Sequence, residues 1–410
     1  MFSNDSIAPV LKEAGPAKTR PPAVLQVVPS LVTGGVEQGT VDLAGALVAA
    51  GWTAYVASAG GPMEKELARV GAQHITLPLA SKNPLVIRRN GKALAEIIRR
   101  CGIDIVHARS RAPAWSAWSA ARATGRRFIT TFHNAYDNDV PLKRRYNSVM
   151  ARGDRVIAIS QFVGEHVAEI YGVEADRLRT IPRGVDLARF DPRRVWGQQV
   201  AELALRWRVP DGFAVAMLPG RLTRWKGGLD FIEAISRLAR RDVCGVLVGG
   251  EQHRGFRGEL EAAIERFRLA DRFRIIEDCR DMPTAYMLAD VVVSASTDPE
   301  GFGRVIVEAQ AMGRPVVATD HGGARETILP GTGWLVPPRD PAALALAIDE
   351  ALALDPDARV AFARRARTQV ASGYTRDIMC ARTIAVYEEL LFPEPAGSSA
   401  MPEARVALSA

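Results

Sequence analysis

The chain has 410 residues, 48% hydrophobic and 24% charged, with a net charge of +7 and a pI near 9.4. That length exceeds one ordinary core and predicts two globular domains, and no apolar run approaches the roughly 18 residues that would span a bilayer. Cys101, Cys244, Cys279 and Cys380 lack CxxC spacing and the six histidines form no HxxxH or HExxH pair, so neither a disulfide framework nor a zinc centre is expected.

Residues 1–22 are polar and broken by Pro16, Pro21 and Pro22. They read as a disordered leader without the regions of a secretory signal, so a cytoplasmic chain is expected. A first strand at Val24 to Val28 leads through Gly34-Gly35 into an amphipathic helix from Val36 to Ala50, with Glu37 placed to cap it. Strands follow near Ala54 to Ala57, Ile75 to Leu77, Ile103 to His107, Phe128 to Phe132 and Val156 to Ile159. Short apolar strands alternating with helices predict a doubly wound parallel domain over residues 23–190.

Much of the positive charge lies in that half: Arg88, Arg89, Lys92, Arg99 and Arg100, then Arg109, Arg111, Arg122, Arg126 and Arg127, then Lys143, Arg144 and Arg145. The interleaved aromatics of a nucleic-acid stacking platform are missing. An anionic membrane surface, the inner leaflet, or a phosphorylated glycolipid fits better, at about 1 kcal/mol per basic residue near such a surface. The bland alternative is a solvated arginine-rich face.

The pattern loosens between Pro182 and Pro210, where a hinge is expected. A second alternation, over residues 205–374, has strands at Phe213 to Leu218, Val243 to Val248, Phe273 to Ile276, Val291 to Ser294, Val316 to Ala318 and Trp334 to Val336. Helices at Pro341 to Leu354 and Asp357 to Ser372 close this unit. Another helix spans residues 375–391, and 392–410 form a tail expected to be disordered. Ligands bind outside the carboxyl ends of strands in such sheets, so both halves should aim loops into one cleft.

Two stretches of the second half carry chemistry. In Pro219-Gly-Arg-Leu-Thr-Arg-Trp-Lys-Gly-Gly228, Gly220 turns the chain after a strand, and Arg221 and Lys226 place two cations near a helix start. Cations are disfavoured there unless an anion joins them. In Glu300-Gly-Phe-Gly-Arg-Val-Ile-Val-Glu308 a glycine turn opens a helix, an anion site framed by two carboxylates. Fixed cations in a dry cleft would stabilise a departing diphosphate without a metal. Asp137-Asn-Asp139 has the form of a metal-binding Asp-x-Asp but reads as a polar loop.

Gly220-Arg221 with Lys226-Gly227, Glu300-x7-Glu308, Asp320-His-Gly-Gly-Ala-Arg-Glu326, Gly34-Gly35-Val36-Glu37, His107 and Thr131-Phe-His133 together resemble the retaining glycosyltransferases of family 4. The family has the α/β GT-B architecture, two Rossmann-like domains facing across a cleft, with a C-terminal helix crossing back to the first. Ile103 to Pro113 and Tyr146 to Asp154 resemble the lipopolysaccharide-core transferases within it. The resemblance implies that His133 and Glu300 lie at the donor sugar, Arg221 and Lys226 at the diphosphate, and Glu308 at the ribose. It also implies that Gly34, Gly35, Gly220 and the amides of Phe302, Gly303 and Arg304 contact the donor. His107, Arg109 and Arg111 are acceptor candidates.

The expected reaction is hexose transfer from a GDP-mannose or UDP-glucose type donor to an envelope glycolipid, foremost lipopolysaccharide core, by front-face attack and without a metal or other cofactor. Other acceptors would be a sphingolipid, an exopolysaccharide or a phosphoinositide. The base would meet the loop Asp278 to Met282. A nicotinamide oxidoreductase is disfavoured because no Gly-x-Gly-x-x-Gly follows the first strand, and a non-catalytic sugar-nucleotide scaffold because the charged residues are all present.

Overall fold

Runs such as Val243 to Val248, all buried, have no polar face to give to water and need cover on both sides. Parallel sheets sandwiched between helices supply it. The computed structural model describes residues 20–32, 34–136, 140–251 and 255–393. The first half alternates β1 (Ala23–Val27), α1 (Gly35–Ala49), β2 (Thr53–Ser58), α2 (Glu64–Arg69), β3 (Gln73–Thr76), α3 (Pro84–Cys101), β4 (Ile105–Ala108), α4 (Arg111–Thr124), β5 (Arg127–Phe132), α5 (Pro141–Asn147), β6 (Arg155–Ala158), α6 (Gln161–Tyr171) and β7 (Leu178–Thr180). The strands form one parallel sheet in the order β3-β2-β1-β4-β5-β6-β7.

After α7 (Gly197–Arg206), the second half runs β8 (Ala214–Pro219), α8 (Gly228–Arg237), β9 (Val243–Val248), α9 (Phe256–Arg266), β10 (Phe273–Ile276), α10 (Met282–Leu288), β11 (Val291–Ser294), α11 (Arg304–Ala311), β12 (Val316–Thr319), α12 (Ala324–Thr327), β13 (Trp334–Val336), α13 (Pro341–Leu352), α14 (Pro356–Gly373) and α15 (Arg376–Leu391). Its sheet is also parallel, ordered β10-β9-β8-β11-β12-β13. The strand order reverses beside β1 in one sheet and beside β8 in the other, and the loops that follow these strands carry Gly34-Gly35 and Gly220-Arg221.

Local chemistry sets several helix starts. Asn83, Asp340, Asp355 and Thr375 accept hydrogen bonds from first-turn amides of α3, α13, α14 and α15, the first three each followed by a proline at a position where its missing N–H costs nothing. Two elements differ from expectation. β7 escapes an apolar search because Leu-Arg-Thr is half-exposed. α7 lies inside the stretch read as a hinge, docked on α10 with Leu203 and Trp207 buried. Of the leader, Arg20 is ordered and forks onto Asp104; most of the leader and tail, and Asp137 to Asp139, lie outside the described residues.

α15 crosses back and packs on α1, as the resemblance implies. Its Tyr387 hydroxyl meets His107 Nδ1 at 2.6 Å, and Glu389 accepts from Arg155 at 2.7 Å and from Arg179. The second tie across the halves is Glu326, whose carboxylate accepts from the amides of Gln161 (2.8 Å) and Phe162 (2.7 Å) at the start of α6. A carboxylate at a helix N-terminus is favourable by roughly 0.3–1 kcal/mol.

Candidate functional site

Three loops at the carboxyl edge of the second sheet are knitted together. Gly227 takes φ 74°, and a Cβ there would fall 1.8 Å from the Ala295 carbonyl oxygen, so only glycine lets the loop after β8 lie against the loop after β11. The Thr297 amide completes the contact by donating to the Trp225 carbonyl at 2.7 Å. From the third loop, the Gly323 amide donates to the Glu300 carbonyl at 2.9 Å and His321 Nε2 donates to the Ser296 carbonyl at 2.7 Å. Asp320 to Glu326 thus buttresses the segment that carries Glu300, a role its composition did not disclose.

Within this frame Lys226 Nζ donates to Glu300 Oε1 at 2.6 Å, and the Ser296 hydroxyl donates to the same oxygen. Lys226 also stands 4.5 Å from the centre of the Trp225 ring. Burial pushes the Glu300 carboxyl upward. The Lys226 ammonium, the two hydrogen bonds and His321 outweigh it and hold the pKa below the ordinary 4.5. Lys226 and Glu300 therefore meet as a charged pair in a partly dry cleft. Arg221, just past Gly220, is exposed and has no ion pair among the described residues. Arg224 is held away by a bidentate contact with Glu259.

Glu308, in the second turn of α11, is buried between Arg304 Nη2 (2.7 Å) and the Tyr286 hydroxyl (2.9 Å). Tyr286 was not singled out from sequence, where an aromatic on a short helix reads as core. Burial first, and Glu308 beside it, push its pKa well above 10.0, so it stays a proton donor. Gly303 is the N-cap of α11 and supplies no side chain, leaving the first amides of that helix for a ligand. Phe302 is core, its ring 5.6 Å from that of Tyr374. The base-loop candidate leaves Asp278 and Arg280 exposed, while Asp281 caps α10.

The first domain faces this edge closely. A Cβ on Gly301 would be 2.9 Å from the His133 carbonyl oxygen, and one on Gly35 would be 3.2 Å from the Arg304 side chain. Glu37 lies beside Gly34, yet among the described residues no side-chain hydrogen bond caps α1, contrary to expectation. His133 is neutral: burial, then Arg183, Arg109 and His107, hold its pKa well below 6.5, and its Nε2 is buried without a partner among the described residues.

The acceptor candidates need correction. His107 is wholly buried, with Nδ1 taken by Tyr387 and Nε2 by the Thr131 hydroxyl at 2.7 Å, so neither nitrogen can reach an acceptor and the residue instead pins α15 to the sheet. Arg109 turns inward to Gln26 at 3.2 Å. Arg111 stays half-buried at the start of α4, bonded to Asn147 and 4.2 Å from the Tyr136 ring centre. Among the described residues no three His, Cys, Asp or Glu side chains are grouped to hold a metal, and no helix is long and apolar enough to cross a membrane.

Because burial is the largest influence on Glu300, Lys226→Met should send its pKa above 4.5. In the wild type this carboxylate contributes stability that is present above pH 4.5 and lost as pH falls through its lower folded-state pKa. In the variant the folded state would hold the proton more tightly than the unfolded chain, so stability would be lost as pH rises past 4.5. Urea unfolding across this range reads the sign, and an unchanged pH dependence would contradict the pairing.

The sequence model of Glycosyltransferase Family 4 matches residues 33–189, and that of Glycosyl transferases group 1 matches residues 214–353. A D-inositol 3-phosphate glycosyltransferase of Catenulispora acidiphila is 30% identical over 330 residues, 73% of this chain and 76% of the relative. The one from Xylanimonas cellulosilytica is 32% identical over 270 residues, 62% of this chain, and the match spans 64% of that relative's length. The crystal structure of a glycosyltransferase from Rickettsia africae superposes with a TM-score of 0.84 at 38% identity, covering 91% of this chain and 100% of that one. HepE of Anabaena, solved with UDP-glucose, shares the fold at a TM-score of 0.75 and 24% identity, over 89% of this chain and 99% of its own. Identity near one in three, sustained across both sheets, goes beyond a common architecture: the chain belongs to the family 4 glycosyltransferases.

Proposed function

We propose that the protein moves a hexose, with retained configuration, from a nucleoside diphosphate sugar to a phosphate-bearing envelope glycolipid, lipopolysaccharide core being the first candidate. The observation that carries this reading is the half-buried Lys226–Glu300 pair beside the exposed Arg221 at the mouth of the second sheet. An ion pair drawn partly out of water is a poor source of stability, whereas an ammonium and a guanidinium flanking a free helix start suit a diphosphate. As the bond between the anomeric carbon and the phosphate oxygen breaks, its electron pair stays on that oxygen. Arg221, Lys226 and the amides at Gly303 and Arg304 would stabilise the new charge. The acceptor hydroxyl attacks from the same face and gives its proton to the departing oxygen. Glu300 would hold sugar hydroxyls, Glu308 the ribose, and the neutral His133 would offer a hydrogen bond rather than a charge.

GDP-mannose is the first donor candidate. The UDP-glucose complex of HepE, on the same fold, supports the second, and the inositol-phosphate acceptors in the relatives' name support a phosphorylated alternative to lipopolysaccharide. Arg221→Gln should lower kcat/KM for transfer by about 10²- to 10³-fold, activity should survive excess chelator, and NMR of the product should show retained configuration. Inversion, or a large loss with chelator, would overturn the mechanism. Nucleotide binding without turnover on any acceptor would leave only the scaffold reading.

A peripheral site of action at the inner leaflet is supported by Leu142, 75% exposed and followed by the exposed Lys143, Arg144 and Arg145, and by Leu85, 77% exposed ahead of Arg88 and Arg89. Apolar side chains set among cations suit an anionic interface. Cosedimentation with vesicles should rise with anionic lipid and fall with salt; equal partition to zwitterionic vesicles would contradict this placement.

A further inference from the structure

We infer that Arg183, with the first two turns of α1, forms an anion subsite that takes a phosphoryl group. The inference rests on the transferase reading for the source of that group, which is either the leaving nucleoside diphosphate or a phosphorylated acceptor.

Arg183 follows β7 in Ile181-Pro-Arg-Gly184 and turns inward, leaving only 6% of its surface exposed. Among the described residues its guanidinium, which carries five N–H donors, makes no ion pair or side-chain hydrogen bond. Its position is fixed by two glycines of α1. A Cβ on Gly39 would lie 2.7 Å from both terminal nitrogens, and one on Gly35 would lie 3.7 Å from Nη2. The guanidinium therefore lies along the side of the first two turns of a 15-residue helix whose N-cap, Gly34, has no side chain.

A cation at that end of a helix is repelled by the helix dipole. Its neighbours add to the repulsion. Arg304 reaches the same Gly35 from the second domain, and Arg109, 4% exposed, lies nearby with its Nε unpaired. Burial, then Arg109 and Arg304, push the Arg183 pKa down to about 9. The acids nearby offset part of this charge without bonding to Arg183: Glu308 is engaged by Arg304 and Tyr286, Glu37 lies against Gly34, and Asp42, whose carboxyl burial pushes upward, bonds to Gln38. His133 adds a buried, unpartnered ring nitrogen to the same region. Isolated buried charge is costly, and a phosphoryl group answers each deficit. Its oxygens match the guanidinium fork, accept from helix amides, and carry enough charge to offset more than one arginine.

The test uses the full chain as wild type, Arg183→Gln and Arg183→Lys. Calorimetry follows binding of UDP, GDP and UMP, with glucose 6-phosphate as a probe for a phosphorylated acceptor. Thermal unfolding is recorded with and without inorganic phosphate. Phosphate should raise the wild-type Tm by clearly more than that of Arg183→Gln, which keeps only the Arg221–Lys226 site. If the leaving group supplies the anion, Arg183→Gln should weaken the preferred diphosphate at least about tenfold and UMP by less than about twofold. If the acceptor supplies it, diphosphate affinity should hold while glucose 6-phosphate loses about tenfold. Arg183→Lys, which keeps the charge without the fork, should fall between and serves as the folded control if the glutamine variant unfolds. Equal phosphate stabilisation and equal affinities in all three proteins would overturn the subsite. A wild type that binds no nucleotide, yet gains Tm from phosphate only when Arg183 is present, would sink the transferase reading and leave the subsite standing.

Discussion

The contact between the Lys226 ammonium and the Glu300 carboxylate is the constraint around which the second domain is arranged. Both side chains are mostly withdrawn from water, 15% and 18% exposed, so leaving either charge without a partner would be costly. Each neighbouring feature keeps them together: the left-handed Gly227, the Ser296 hydroxyl on the shared oxygen, and the His-Gly-Gly segment bonded to the carbonyls of Glu300 and Ser296. Hydrophobic residues of similar size would hold the same loops at no electrostatic cost. A lysine and a glutamate there make sense if the ammonium has a second partner to visit when substrate arrives.

The seam between the sheets extends this logic. Gly301 faces the His133 carbonyl, Gly35 faces Arg304, and Glu326 caps α6. Small residues set the separation and a carboxylate fastens it, with α15 as a strap on the far side. Positive charge is gathered on this seam from both domains, by Arg183 and Arg109 from one and Arg304 from the other.

Much of this was legible in the residues. Buried strands such as Val291 to Ser294 and Val316 to Thr319 announce themselves because parallel sheets tolerate few polar side chains. Arg221 and Lys226 stood out because cations at helix starts conflict with the local field. What stayed hidden depended on partners distant in the chain. His107 ends a strand at the cleft edge and looks like a site residue, but its role was decided by Tyr387, 280 positions away, arriving on α15. The hydrogen bond from Tyr286 to Glu308 joins α10 to α11 across 22 positions, and β7 has no apolar pattern to betray it. Arg183 drew no reading of its own in the loosened stretch after Pro182, and Gly39 shows where its guanidinium lies.

The most direct test of the central claim is a crystal structure with a nucleoside diphosphate bound in the cleft. The account predicts that Lys226 Nζ releases Glu300 to contact a phosphate oxygen, with Arg221 folded over the same group and Glu300 left free for sugar hydroxyls. A diphosphate bound while Lys226 remains on Glu300 and Arg221 still faces solvent would contradict it.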